Sequence, residues 1–525
     1  MDGLTDDTAA LLRRFEDAAA TGGTVITIPP GTYTISGTRA IPLSSNTTVF
    51  AHGARFELPQ RLGDRARVVV FEGRDLTGFQ WHGGSFHGHC FDPDRRDNAW
   101  EPNVLTRVFA VTTSSGGVTS NLLFRDIRAD GVAGAVVNVA GCMQPGSTRH
   151  VDTYATNVSV ESCTFERCGK FMWDYGFLWQ RIVWPEEYSR DQVELAHRYF
   201  RSDLIRETVA MQDGDDRVSY DAAGSPVPSD GDDATVCFSG DTLPSNVVRG
   251  RKYFVVDAGA GFIRIAESRD GAPLRFSGSS GPGTKLIHSL HAAFYELYAP
   301  HGCGPGKGGL DLTACRNTIV SGCRLSALGD SMHIRACDTT AFSGNHVTGS
   351  RMGAFFLAEW CTNSVVTGNT VDGSNGSRVM SVEKSNEDVT IVGNTFRGGG
   401  RGCWINQPKN LIIEGNIFVN NTTKCERDPV RGRRSCETGD YESYPEMYFT
   451  LHEQDGSYGP VVLRNNVFVT GPECGEVLAF GPNGHDISVE GNAFSGATRT
   501  IRVDPSCTNV KIAASQNADV RSAAG

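Results

Sequence analysis

Ala341-Phe-Ser-Gly-Asn345, Val365-Val-Thr-Gly-Asn369, Thr390-Ile-Val-Gly-Asn394 and Ile412-Ile-Glu-Gly-Asn416 are four copies of one phrase: an apolar-alternating run, a small residue, then Asn. Upstream the closing residue is Cys, in Val158-Ser-Val-Glu-Ser-Cys163 and Ile319-Val-Ser-Gly-Cys323. Downstream the phrase returns as Val462-Leu-Arg-Asn-Asn466 and Ser488-Val-Glu-Gly-Asn492. From Cys323 the steps are 22, 24, 25, 22, 50 and 26 residues. The step of 50 contains a polar, Arg-rich loop between Cys425 and Cys436 and reads as one coil with an insertion. A period of this length, with short strands and no helical pattern, specifies a β-solenoid. Its coils stack at about 4.8 Å, and the repeated Asn can bond along the stack. The Leu-x-x-Leu-x-Leu pattern of leucine-rich repeats is absent. The expected fold is therefore all-β, a right-handed single-stranded parallel β-helix.

Outward from the repeat, the N-terminus fits this architecture. Asp2-Gly-Leu-Thr-Asp-Asp-Thr-Ala-Ala10 leads into a helix with Leu11, Leu12, Phe15 and Ala19 on one side, capped by Thr5 or Asp6 and ended by Gly22-Gly23. Thr24-Val-Ile-Thr-Ile28-Pro-Pro-Gly-Thr-Tyr33 reads as strand and turn. A helix over the open end of a solenoid protects an edge that would otherwise recruit other strands. This opening resembles the pectate-lyase and polygalacturonase superfamily, whose members often begin with Asp-Gly-x-Thr-Asp-Asp-Thr and a Pro-Pro-Gly-x-Tyr turn. The resemblance covers about the first 35 residues and implies the fold and a carbohydrate substrate class. The polygalacturonase catalytic signatures are missing, and Gly329-Asp330-Ser331 keeps only the first acid of their Asp-Asp pair.

From about 170 to 300 the Asn repeat is lost. Glu186 to Ile205 has the pattern of an amphipathic helix, Asp213 to Asp233 that of an acidic loop. Lys252–Val256, Phe262–Ile265 and Leu274–Phe276 read as strands of a small β module, which resembles modules of phage tail adhesins. The expected organisation is a cap helix and first strand (1–37), N-terminal coils (38–169), an α+β insertion (170–300) and C-terminal coils (301–525). The insertion is the expected lid, or the contact of a homo-oligomer.

Composition sets the setting. Hydrophobic residues at 39% and charged residues at 21% mark a globular chain, and no apolar run long enough to span a bilayer occurs. A net charge of −11 argues against a nucleic-acid partner. Fifteen cysteines favour disulfides, one of them Cys425–Cys436, and a secreted or periplasmic protein whose export signal preceded this opening. No CxxC pair suggests a zinc site, and neither metal nor cofactor is expected.

Aligning coils from the Asn positions brings out a working face. The inward set is Leu310, Leu312, Met332, Ile334, Phe356, Ala358, Met380, Val382, Cys403, Ile405, Phe449 and Leu451. The outward column then carries Asp311, His333, Arg335, Glu359, Glu383, Trp404, Asn406 and His452, with Lys384 at its margin. Acids, imidazoles, a guanidinium and an indole along one line are the make-up of a sugar cleft: Trp stacks on a sugar face and the polar groups bond hydroxyls. Cys315, Cys337 and Cys361 each fall eight residues before a ladder position and should stack, as a structural column or as a disulfide plus one thiol.

Glycosidic cleavage uses two carboxyl groups. Glu359 and Glu383, one coil apart, are the expected pair, with Asp311 as the third candidate. Arg335 beside Glu359 would keep it ionised and leave Glu383 as the acid. Substrate contacts fall to His333, Arg335, Trp404, Asn406, His452 and Lys384. Elimination from a uronide is the alternative: Ser381-Val-Glu-Lys-Ser385 resembles a segment of the chondroitinase-B and alginate-lyase family, which implies Lys384 as a base. Cys403-Trp-Ile-Asn406 departs from that family where Leu-Arg-His would stand. Glycan binding without catalysis, as in a tailspike, is the third class.

Overall fold

The computed structural model describes residues 2–36, 39–58, 67–88, 105–132, 134–147, 149–169, 205–206, 209–221, 235–249, 251, 253–268, 271–288, 307–327, 330–349, 353–373, 378–422, 427–428, 433–434, 444–453, 455–513 and 518–522. Across them runs a right-handed parallel β-helix of three parallel sheets with thirteen strands each. In one coil, Gly353–Glu359 lies in sheet 1, Thr362–Thr367 in sheet 2 and Thr370–Asp372 in sheet 3. The next coil lays Arg378–Val382, Glu387–Val392 and Thr395–Arg397 directly on these. Inward residues stack like on like: Phe396, Phe418, Phe468 and Phe494 follow one another at 5.2, 4.8 and 5.4 Å between ring centroids.

The Gly-Asn phrase forms the corner between sheets 2 and 3. Gly344, Gly368, Gly393 and Gly415 have φ of 63–66°, a conformation that a Cβ would make costly. That corner turns each Asn inward. The Oδ1 of Asn369 accepts both the backbone N–H and the Nδ2 of Asn345 at 2.9 Å. Asn394 and Asn416 repeat the arrangement on the coils before them. Asn416 bonds to Asn466 in the same way, and Cys403–Asn406 pairs directly with Met447–Thr450, so the 50-residue step is indeed one coil with a looped-out segment. Cys163 and Cys323 hold the corner upstream, where the Cys323 N–H donates to Asn345 at 3.0 Å. At the corner between sheets 1 and 2 the left-handed conformation falls on Ala314, Ala336, Trp360, Lys384 and Gln407 instead.

Additional chain leaves mainly at the third corner, between sheets 3 and 1. Thr164–Cys168 is followed in the solenoid only by Lys307–Thr313, and Ile417–Val419 by Met447–Thr450. The first of these departures carries a seven-stranded antiparallel sheet with its own core, including Val218, Phe238, Tyr253, Ile263 and Leu286. Tyr253–Gly259 and Phe262–Ala266 are strands as expected. Leu274–Phe276 is not a strand: the amides of Leu274 and Phe276 bond Ile265 and Asp215 in an extended segment without a ladder. Arg217–Tyr220, inside the expected acidic loop, is a strand. The helix expected over Glu186–Ile205 lies outside the described residues, apart from Ile205, which opens a short strand.

Two further expectations are corrected. The helix Thr8–Ala20 is preceded by a strand, Asp2–Asp6, that joins sheet 3, and its N-cap is Asp7. Asp6 accepts the Thr8 N–H at 3.0 Å. The helix buries Leu11, Phe15 and Ala18 and leaves Ala19 exposed; Phe15 packs on Phe71 and Trp81 at 5.6 and 6.2 Å. The cysteines make no disulfide among the described residues: eleven are described, and nine of those are buried. Cys315, Cys337 and Cys361 do stack, with the Cys315 N–H on the Cys337 sulfur at 3.4 Å, but they act as small core residues with weak donors. Cys425 and Cys436 lie outside the described residues.

Candidate functional site

The outward side of sheet 1 carries two adjoining polar clusters. In the first, Asn138, Asp311 and His333 stand in register on three successive coils. Arg107 donates to the Asn138 Oδ1 at 3.3 Å, the Asn138 amide donates to the Asp311 Oδ2 at 3.1 Å, and Asp311 Oδ1 lies 3.1 Å from His333 Nδ1. The His333 ring stacks on Phe356 at 5.6 Å. If Nδ1 carries the ring proton, Asp311 fixes the tautomer that leaves Nε2 as the acceptor.

The second cluster begins one coil further. Arg378 lies over the Trp404 ring at 3.9 Å and donates to Glu383 at 3.3 Å. The Trp404 indole donates to the Thr450 hydroxyl at 2.7 Å, and the Asn406 amide reaches that same hydroxyl at 2.9 Å. Asn406 Oδ1 accepts the Lys384 N–H at 3.1 Å. The Lys384 ammonium pairs with Glu359 and lies 5.8 Å from the centre of the Trp360 ring. Arg335 sits in register between Thr313 and Glu359, its buried Nε without a hydrogen-bond partner.

Burial distinguishes this face. These side chains point away from the core, yet Asp311, His333, Arg378, Glu383 and Asn406 are only 5, 7, 3, 8 and 4% exposed. Ser381, between Phe356 and Trp404 in register, is fully buried, and its hydroxyl has no partner. An outward sheet face is ordinarily solvated; here charged groups are shielded from water, where their mutual interactions are strengthened.

The expected coil alignment holds for Asp311, His333, Arg335, Trp404 and Asn406, and slips at one strand. Phe355 and Leu357 face inward and Phe356 outward, the reverse of the expectation. A bulge at Ala358 then restores Glu359 to the outer side: Ile334 pairs with Leu357, but Arg335 with Glu359. The same irregularity sets Glu359 against Lys384, and Glu383 turns to Arg378, so each carboxylate has its own cation. The expected partner of Glu359, Arg335, is its neighbour in register, but the ion pair is with Lys384. His452 is not brought to the cluster; it is exposed beyond the strand Met447–Thr450, where its N–H bonds Gln407. Sequence reasoning missed Asn138, Phe356, Arg378 and Thr450. Asn138 interrupts the apolar strand Ala135–Ala140 and was a visible signal, but the insertion hid its coil neighbour.

Near the second cluster, Glu446 is fully buried and accepts from the Asn421 amide nitrogen and Nδ2 at 3.0 and 2.6 Å. Burial pushes its carboxyl up to about 7. Among the described residues no three His, Cys, Asp or Glu side chains converge to hold a metal ion.

Comparison with known proteins places these features in context. Residues 301–432 match a family described as periplasmic copper-binding protein (NosD). The described part of that stretch lacks a converging ligand set for a metal. No curated protein matches the chain in sequence. Among solved structures, the A-module of the mannuronan C-5 epimerase AlgE4 of Azotobacter vinelandii is similar at 11% identity and a TM-score of 0.45, with 97% of this chain and 96% of that one covered. PfbA, a surface adhesin of Streptococcus pneumoniae, gives 11% identity and 0.48, covering 95% and 91%. The tailspike protein of E. coli bacteriophage HK620, solved with a pentasaccharide, gives 12% and 0.47, covering 96% and 68%.

Proposed function

We propose that the protein is a carbohydrate-active enzyme that cleaves or transfers a glycosidic bond of an oligo- or polysaccharide lying along sheet 1. The observation that carries this reading is the burial of charged, outward-pointing groups between two aromatic rings, Phe356 and Trp404. Aromatic faces stack on sugars, while the interleaved carboxylates, amides and guanidinium bond hydroxyls. Glu383, oriented by Arg378, is the leading base or nucleophile. Glu359, one coil before it, and Asp311, two coils below Glu359 and two residues along the strand, about 12 Å away at the backbone, are the other carboxyl groups available for proton transfer. The Asp311–His333 pair adds a second group able to move a proton. An extracytoplasmic setting, in the periplasm or outside the cell, accords with a polymeric glycan substrate and with the description of the family matched by residues 301–432.

The test is a panel of neutral and uronic-acid glycans with product analysis. Hydrolysis or transfer products without an ultraviolet chromophore are expected. A 4,5-unsaturated product, abolished by Lys384→Ala, would replace this reading with β-elimination. Tight binding of a glycan that is never turned over would replace it with an adhesin-like role.

A further inference from the structure

Sheet 3 holds a groove, of about 580 Å³, on a face that the reaction proposed for sheet 1 does not use. Its floor is the outer side of five stacked strands, with Arg55, Ser85, Arg128, Thr164 and Arg324 in one register column. A guanidinium therefore recurs at every second coil, about 10 Å apart, with a hydroxyl between. Arg55 is paired with Glu57 on its own strand. Arg128 and Arg324 are exposed, and among the described residues neither guanidinium has an ion pair or hydrogen bond. The neighbouring acid Asp130 is already engaged by Arg167, whose Nε donates to it at 2.7 Å. Two cations with no ion pair among the described residues thus face one groove, which the exposed acid Glu166 also lines, on a chain whose net charge is −11.

We propose that this groove is a second glycan-binding site, taking an acidic oligosaccharide segment whose carboxylates lie a disaccharide apart. Guanidinium forks suit planar carboxylates, and the intervening Ser85 and Thr164 hydroxyls suit the hydroxyls of the sugar between them. Two separated cations are too few for a nucleic acid, which needs a continuous basic stripe. The site takes from the function proposed above only the class of ligand, and it would anchor a polymer while another segment of it reaches sheet 1.

The experiment is calorimetric titration of the full chain, carrying Glu383→Gln to block turnover, with a hexasaccharide of 1,4-linked uronic acid and with its carboxyl-reduced neutral counterpart. Arg128→Gln with Arg324→Gln should lower the stoichiometry by one site, and the lost site should weaken steeply with added salt. Trp404→Ala should remove the other site. Loss of binding only with Trp404→Ala, equal binding of the neutral hexasaccharide to the Arg-lined site, or equal competition there by a single-stranded oligonucleotide would overturn the proposal. The two faces are read separately, so failure of the sheet 1 reading would leave this site as the one still titrated.

Discussion

Glu383 and Glu446 show how differently two buried carboxyl groups can be used. Glu383 has the Arg378 guanidinium beside it, on the coil between Phe356 and Trp404; Glu446 is held, among the described residues, by the Asn421 amides without a cation. Glu383→Gln keeps the shape and removes the charge, so folding should stay intact while kcat falls by about a thousandfold, read by steady-state kinetics. Glu359→Gln should act similarly; near-normal turnover in both variants would shift the chemistry to Asp311 and His333. For Glu446 the expectation concerns stability. Its carboxyl stands near 7 in the fold against an ordinary 4.5. Between those values the unfolded chain releases this proton and the folded chain keeps it, so the folded state binds more protons. Stability is then full below about pH 4.5, falls as pH rises to about 7, and levels off above, for a total of about 3 kcal/mol. Urea unfolding across this range should show the slope in the wild type and a flatter profile in Glu446→Gln.

At the level of elements, the corner ladder is the part most legible in sequence, because a buried amide must repeat at a fixed place to satisfy its neighbours. Asn394 accepts two bonds from Asn369 and donates to Val366 and Val392. Asn394→Ala would leave buried donors and carbonyls of two coils unmatched, so a loss of about 2–4 kcal/mol in chemical denaturation is expected. A cost below about 1 kcal/mol would mean the ladder is dispensable there. The outward column was legible for a related reason: period-2 alternation fixes the facing of Asp311, His333 and Trp404 once the corner is known. It failed at Phe356 because a bulge adds a residue without changing composition. The missed Arg378 begins its strand, outside the span counted back from the corner, and Asn138 was separated from Asp311 by a long insertion. Among the described residues the cysteines serve packing instead: Cys163 and Cys323 fill places that Asn fills elsewhere, and Cys315, Cys337 and Cys361 stack in the core.

The whole molecule is a stack in which each coil contacts chiefly its neighbours, so stability is expected to be close to a sum of coil and interface terms. Strand pairing passes directly across the insertion: Ala135–Ala140 pairs with Lys307–Thr313 and Thr164–Cys168 with Arg324–Ala327. Replacing residues 170–306 by a short Gly/Ser linker should therefore preserve the β circular-dichroism spectrum, with Tm changed by less than about 5 °C. Loss of cooperative unfolding would show instead that the antiparallel module holds the solenoid together. This uninterrupted pairing bears on how such a chain can diversify. Doubling the length of a flexible excursion costs only about 0.6 kcal/mol of closure entropy, whereas shifting a strand by one residue would reverse every side chain on a face. Natural variation in this architecture should accordingly accumulate as lengthened crossings at the corner between sheets 3 and 1, beside both polar faces, while the stack beneath keeps its register.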